Sequence, residues 1–377
     1  MDYILWTKSC LKAFTTYDVK VLSNLLFFQN KVKIARTDEV RSTVNEILTT
    51  HFNLQDGESE VWVSFLSEHL NAVSATSQPF RPLNTAYQSL VTIFKEDDEG
   101  YKLLEIVKKY SIKLLDEGTK SNNLDDVINS FRKLISACQN NKPPPDSHII
   151  GLIFALNVSI KTCFRLNNLQ QLTSLLRIVN NPHSKFPKLV TYPKAQQVEM
   201  KLYEGKFHLF ENNWEDAANA LEIAFKRCRN INFNNEKLIL RYLIPVNALF
   251  GKYASNQLLE KYELNEYKEI LACVRVGNIS KVEEILYEYQ EIYIKYGIFI
   301  VMDLLRIVTY KNLFKKVSTL LRKTQIPLEV FEKTLKFAGV PNVTRSKTVS
   351  LLNSLIYREW IKAKLDLVRG HVIFSTN

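Results

Sequence analysis

A chain of 377 residues holds two or three domains' worth of core, and 46% hydrophobic with 24% charged residues is the make-up of a soluble globular protein. Gly and Pro are scarce, at 10 and 11, which points to a mostly helical chain and away from a strand-rich one. Of the formal charge of +11, ten units fall in residues 306–370, where fourteen Lys and Arg stand against Glu329, Glu332, Glu359 and Asp366.

The opening MDYILWTKSC carries Asp2 and no long apolar run, so no signal peptide is expected. Residues 1–142 read as an N-terminal helical region. A short pattern recurs from there on. DVKVLSNLL (18–26), NLQQLTSLL (168–176), NWEDAANAL (213–221) and NISKVEEIL (278–286) each begin with Asn or Asp. Apolar or small residues follow on one helix face, and NLDDVINSF (123–131) is a weaker copy. Ser280 to Glu283 of the fourth copy, SKVE, reads as a capping box.

NNKPPPDS (140–147) breaks the helical text and marks a boundary, and 180–194 reads as a long loop. In 198–210, Val198, Leu202, Gly205 and Leu209 are spaced for one helix face. Ala217, Leu221, Ala224, Phe225 and Cys228 make the facing stripe, with Gly205 and Ala217 small enough for close approach. Such helix–turn–helix hairpins have tetratricopeptide-like character. A single hairpin cannot bury both its faces, so residues 146–305 are expected to stack as a right-handed helical-repeat solenoid.

KRCRN (226–230), with Lys237 and Arg241, forms a first basic cluster. Lys226, Arg227 and Arg229 sit where a helix C-terminus favours cations, which accounts for much of it. The functional alternative is a groove for an acidic peptide. The most apolar segment, YGIFIVMDLL (296–305), is too short to span a bilayer and contains Asp303.

RIVTYKNLFKKV (306–317) carries two stripes. Tyr310, Leu313, Phe314, Val317, Leu320 and Leu321 form an apolar one, read as core. Lys311, Lys315 and Arg322 form a basic one facing solvent or a ligand. Beyond it come two short helical stretches, 327–339 and 346–360, the second with Val349, Leu352, Leu355 and Ile356 on one side. Two alternating runs about Arg369-Gly370 then read as a hairpin. Helices followed by a two-stranded wing describe a winged helix over 306–377, a module that serves nucleic acid and protein docking alike.

A helical solenoid running into a winged helix resembles the PCI-domain family, here over about 190–375. KLILRYLIPVNALFGK (237–252), VRVGNISKVEEIL (274–286), YGIFIVMDLLRIVTYKNLFKKV (296–317) and SLIYREWIKAKLD (354–366) are similar to segments of the PCI subunits of transcription-and-export complex two. The resemblance implies a nuclear mRNA-export adaptor, found also at the nuclear-pore periphery. Its implied partners are a larger GANP-type PCI scaffold, a small acidic protein shared with the proteasome lid, and RNA or DNA. The alternative is a PCI scaffold of a signalosome-associated or proteasome-lid-like complex with no nucleic-acid role. One departure is Glu359, near which the family carries a glycine that would supply a left-handed C-cap. How the chain leaves that helix stays open.

The residues proposed for nucleic acid are Lys311, Lys315, Lys316, Arg322, Lys347, Arg358, Lys362, Lys364 and Arg369. Those for the acidic partner are Lys226, Arg227, Arg229, Lys237 and Arg241. The alternative for the first set is a solvated basic face that only adds solubility. The aromatics, Trp62, Trp214, Tyr310 and Tyr357 among them, are read as core rather than as base-stacking platforms.

Catalysis is not expected. The six histidines (His51, His69, His148, His183, His208, His371) are isolated, and no zinc, Walker, dinucleotide or Gly-x-Ser-x-Gly pattern occurs, so no cofactor or metal is implied. Five scattered cysteines suit reduced, packed thiols in a cytosolic or nuclear protein.

Overall fold

A computed structural model describes residues 3–28, 37–52, 56–75, 79–139, 147–180, 187–230 and 232–375. Residues 140–146 of the proline-rich boundary, residues 181–186 of the long loop (with His183) and the side chain of His51 lie outside the described residues. The chain divides into two compact units, residues 1–203 and 204–377.

The first unit is built from α1 (Tyr3–Thr15), α2 (Val19–Ser23), α3 (Thr37–Phe52), α4 (Asp56–Ser74), α5 (Phe80–Glu96), α6 (Leu104–Lys120), α7 (Leu124–Cys138), α8 (Leu152–Leu166), α9 (Leu169–Asn180) and the start of α10 (Lys194–Phe210). From α3 to α9 each helix packs on the next, the neighbour-to-neighbour order of a solenoid. Among the described residues, the run His148–Leu166, rather than 296–305, is the one long and apolar enough to cross a membrane. It is mostly buried, as the core helix of a solenoid is.

The recurring Asn/Asp motif turns out to be one joint used repeatedly. Tyr17, Asn122, Asn167, Asn212 and Gly277, each directly before a motif, all have positive φ, between 50° and 84°. The next residue then returns its N–H to a carbonyl five positions back: Asp18 to Ala13, Asn123 to Gly118, Asn168 to Cys163, Asn213 to His208 and Asn278 to Cys273, at 2.9–3.0 Å. That bond closes a Schellman turn on the helix just ended. In three copies the side chain of the same residue also opens the next helix: Asp18, Asn168 and Asn278 accept from backbone N–H groups two or three residues on. One Asx residue thus satisfies the end of one helix and the start of another. The capping box expected at Ser280 is displaced by this arrangement. Asn278 is the N-cap, and Ser280 Oγ donates to its Oδ1 at 3.3 Å.

The second unit continues with α11 (Trp214–Cys228), α12 (Phe233–Leu249), α13 (Asn256–Lys261), α14 (Lys268–Val276), α15 (Ile279–Glu288), α16 (Gln290–Lys295) and α17 (Phe299–Leu321). Gly205 and Ala217 do let α10 and α11 meet closely, since a Cβ on Gly205 would lie 2.6 Å from Leu221 Cγ. After α17 come β1 (Gln325–Pro327), α18 (Leu328–Phe337), α19 (Arg345–Tyr357), β2 (Ala363–Asp366) and β3 (His371–Phe374). The expected hairpin is there, but the sheet has a third strand and the order β1-β3-β2, all antiparallel.

Phe314, Ile326, Phe331, Leu335, Leu352, Leu355 and Val372 close the winged-helix core. Val372, with Leu365 and Ile326 paired to either side, faces this core, so the opposite parity, Lys364–Ile373–Gln325, faces outward. Glu359 adopts φ 58°, and Trp360 N–H reaches Leu355 O at 2.9 Å. The left-handed C-cap is therefore formed, with glutamate in the place where glycine is easiest.

Three readings of burial change. Leu320 and Leu321, assigned by spacing to the buried stripe, are exposed, Leu320 by 82%. The stripe outlasts the core because α17 runs past the body it packs on. Trp62 and Trp214 are only half-buried, and Trp6 is the fully buried tryptophan. Tyr310 is core, whereas Tyr357 at the end of α19 is 89% exposed. All five cysteines are free thiols, four of them buried, and burial pushes Cys138 up to about 12 and Cys163 to about 11. Such thiols are poor nucleophiles.

Candidate nucleic-acid interface

The basic stripe of α17 meets the solenoid helix α14 because of one glycine. Gly277 ends α14 at φ 84°, and a Cβ there would sit 3.0 Å from the N and Cα of Leu313. Only a bare backbone lets the end of α14 press on α17 at this point. Lys316 Nζ then donates to Val276 O at 2.7 Å. Asn312 Nδ2 donates to Val274 O at 2.8 Å and to the Tyr253 hydroxyl at 3.0 Å. These bonds satisfy two terminal carbonyls of α14 with side chains of α17.

The result is a groove of about 440 Å³ lined by Tyr253, Arg275, Asn312, Lys315, Lys316 and Leu320. Three of these residues are cationic and none is acidic. Lys315, Lys316 and Arg275 are exposed. Lys311, one turn before Lys315, is half-buried, and burial and the Lys315 charge hold its pKa below the usual lysine value. Arg322 caps α17 in a left-handed conformation and is exposed.

The remaining proposed cations lie in the winged helix. Lys362 and Lys364 are exposed on the outer face of the edge strand β2 and its approach. Gln325 lies two strands from Lys364, or about 10 Å. Arg322 precedes Gln325 by three residues, which places Arg322 within about 20 Å of Lys364. Lys347 Nζ is tied to Pro341 O at 2.6 Å, and Arg358 sits 6.0 Å over the Trp360 ring. Arg369 at the wing tip is 3.9 Å from Asp366. Among the described residues, Arg369 is the one member of the nine with an acidic partner. The groove gathers Lys315 and Lys316, and the sheet gathers Lys362 and Lys364. Arg275 and Tyr253 escaped the sequence reading because they precede the basic segment.

The second cluster is different. Lys237 pairs with Glu263 at 2.7 Å and holds that carboxyl below its usual range. Arg241 pairs with Glu266 at 3.0 Å, both largely buried, and its guanidinium stacks 4.1 Å from the Tyr296 ring. Lys226 pairs with Glu222 one turn away at 3.3 Å. Arg229 is exposed at the C-cap of α11. Lys237 and Arg241 thus already carry acidic partners from their own chain, and reversing Arg241 would leave a buried carboxylate unpaired.

The winged helix and the long helix leading into it coincide with a known domain: residues 286–376 match the family model described as PCI domain. The C-terminal part is a PCI domain. Its matched span begins well after residue 190, within α15, and takes in α16, α17 and the whole winged helix. The chain is similar to "PCI domain-containing protein 2" of Danio rerio, 33% identical over 251 residues, or 67% of this chain and 61% of that protein. It is 29% identical to "PCI domain-containing protein 2" of Xenopus laevis over 330 residues, 81% of each chain. It is 26% identical to "PCI domain-containing protein 2 homolog" of Dictyostelium discoideum over 364 residues, 92% of this chain and 84% of that one. Lys311, Lys315, Lys316 and Arg322 thus lie inside the PCI domain, whereas Arg275 and Tyr253 lie before it.

Proposed function

We propose that this PCI-domain protein is a non-catalytic adaptor of a nuclear mRNA-export assembly. In this reading it joins a GANP-type PCI scaffold and a small acidic protein, works in the nucleus and at the nuclear-pore periphery, and contacts RNA or DNA through its basic face. The similarity to PCI domain-containing protein 2 supports a scaffold subunit. The observation that carries the nucleic-acid part is the set of solvent-facing cations on α17 and β2 that no acid neutralises among the described residues. A solubility face would tolerate neutralisation, whereas a phosphate-binding face requires its absence. The acidic-protein part rests on Arg229, exposed at the C-cap of α11, since Lys226, Lys237 and Arg241 pair with acids of their own chain.

The test is binding against salt. Contact with about five phosphates gives a log–log slope of roughly −3 to −4 on single strands. The variant Lys315→Glu, Lys362→Glu, Lys364→Glu should weaken binding across sequences and flatten that slope. Its melting temperature should stay close to wild type, because exposed charges contribute little to stability. Unchanged affinity and slope in a folded variant would remove the nucleic-acid role. A second reading, a protein-only scaffold, draws on exposed apolar side chains in the winged helix: Phe337 is 94% exposed and Val368 98%.

A further inference from the structure

We propose that the groove beside α14 and α17 receives one unstacked base of a single-stranded nucleic acid, with the neighbouring phosphates on Arg275, Lys315 and Lys316. This rests on the nucleic-acid reading above and adds what that reading lacks, a reason to distinguish single strands from duplexes.

The groove's size, about 440 Å³, lies within the roughly 300–1,000 Å³ typical of small-molecule sites. Its lining is amphipathic. Tyr253 offers a ring, and Leu320 an aliphatic side chain that packs on nothing in the chain's own core. Arg275, Lys315 and Lys316 supply donors only. The Tyr253 hydroxyl accepts from Asn312, so its own proton is left to donate. An aromatic and an apolar wall beside cations suit a base and its phosphates.

An acidic peptide would share the charge complementarity but needs backbone partners. The carbonyls of Val274 and Val276 beside the groove are taken by Asn312 and Lys316, and Thr319 Oγ1 donates to the Lys315 carbonyl. None of the residues lining the groove belongs to a strand. The observations therefore favour a nucleotide. A duplex keeps its bases stacked and would have to flip one out to fill the groove.

The experiment compares the full chain's affinity, at one fixed salt concentration, for a single strand of about a dozen nucleotides and for the same sequence as a duplex. The single strand should bind at least about tenfold tighter. Leu320→Ser should reduce single-strand affinity about fivefold and leave duplex affinity unchanged. Leu320 is 82% exposed, so the substitution removes no core packing. Tyr253→Leu should do the same more strongly. Adenosine monophosphate should compete with the single strand at concentrations where ribose 5-phosphate does not. Equal affinity for single strand and duplex, with the salt slope kept, would overturn the base pocket and leave the adaptor reading standing. Absence of binding to either at low salt would overturn both. Tighter binding of an acidic leucine- and tryptophan-containing peptide that displaces the oligonucleotide, lost in Leu320→Ser, would make the groove a peptide site and overturn the proposal.

Discussion

Pro245 lies inside α12 and lacks the N–H that would bond the Arg241 carbonyl one turn back. The buried Tyr267 hydroxyl donates to that carbonyl at 2.8 Å and fills the gap. Tyr267→Phe keeps the ring and orphans the acceptor, so it should cost about 1–3 kcal/mol of unfolding free energy in urea titration. An unchanged midpoint would mean that water replaces the hydroxyl. Glu359 makes the opposite case. It holds φ 58° without glycine's freedom, so Glu359→Gly should stabilise the second unit by about 1 kcal/mol. That corresponds to a rise in melting temperature of about 2–4 °C in calorimetry, and a fall would show that the Glu359 side chain has a role the backbone angle hides. The departure from the family glycine was visible in sequence. That the chain keeps the turn regardless was not, because no local rule says which residue will tolerate strain.

Between elements, close packing carries most of the specificity. In α10 the gain in helix propensity from Gly205→Ala, about 1 kcal/mol, competes with a clash against buried Leu221. Leu221 is enclosed and cannot swing away, so the clash wins and the variant should lose about 1–2 kcal/mol in chemical denaturation. A gain would mean that α10 and α11 separate freely. The helices were legible because their apolar stripes keep a 3.6-residue period, and so was the hairpin of the wing. Strand β1 was not: three residues ending in Pro327 hold no periodicity, and only pairing with β3 makes them a strand. The end of α17 was misread for the converse reason, since Leu320 and Leu321 keep the period after the packing partner has ended. Both sheet edges are guarded, one by Pro327 and one by Lys362 and Lys364, so edge protection accompanies any phosphate contact by these lysines.

Across the whole chain, charge and acid sensitivity fall to different units. The basic face belongs to residues 204–377, whereas His69, stacked 5.3 Å from Trp6 and hydrogen-bonded to Tyr110, is buried in the first unit. Burial, with a smaller push from Lys113, lowers its pKa from 6.5 to about 3. The folded state keeps it neutral while the unfolded chain takes up a proton below 6.5. Its stabilising contribution is therefore full above pH 6.5 and falls by roughly 1.4 kcal/mol per pH unit on the way down to 3. Urea titrations of the Trp214→Phe, Trp360→Phe chain, followed by the remaining tryptophan emission of the first unit, should show that unit weakening between pH 6.5 and 5. In His69→Gln that slope should shrink, and an unchanged slope would assign the effect to other groups. The basic face could be read from composition, but the groove could not. Tyr253 and Arg275 join Lys315 only through the fold, and no spacing rule links them.

The shared joints between successive helices carry one more consequence, for how the sequence can change length. At Asn122-Asn123, Asn167-Asn168 and Asn212-Asn213 the last turn of one helix and the first of the next interlock through adjacent residues. One inserted residue that extended the following helix would rotate its apolar stripe by about 100°, from the core toward solvent. These joints are thus points of fixed phase, intolerant of insertion or deletion though they lie at the surface. Length variation is expected in the connectors that lack such a joint, and an alignment of related chains should open its gaps there and close them at every joint.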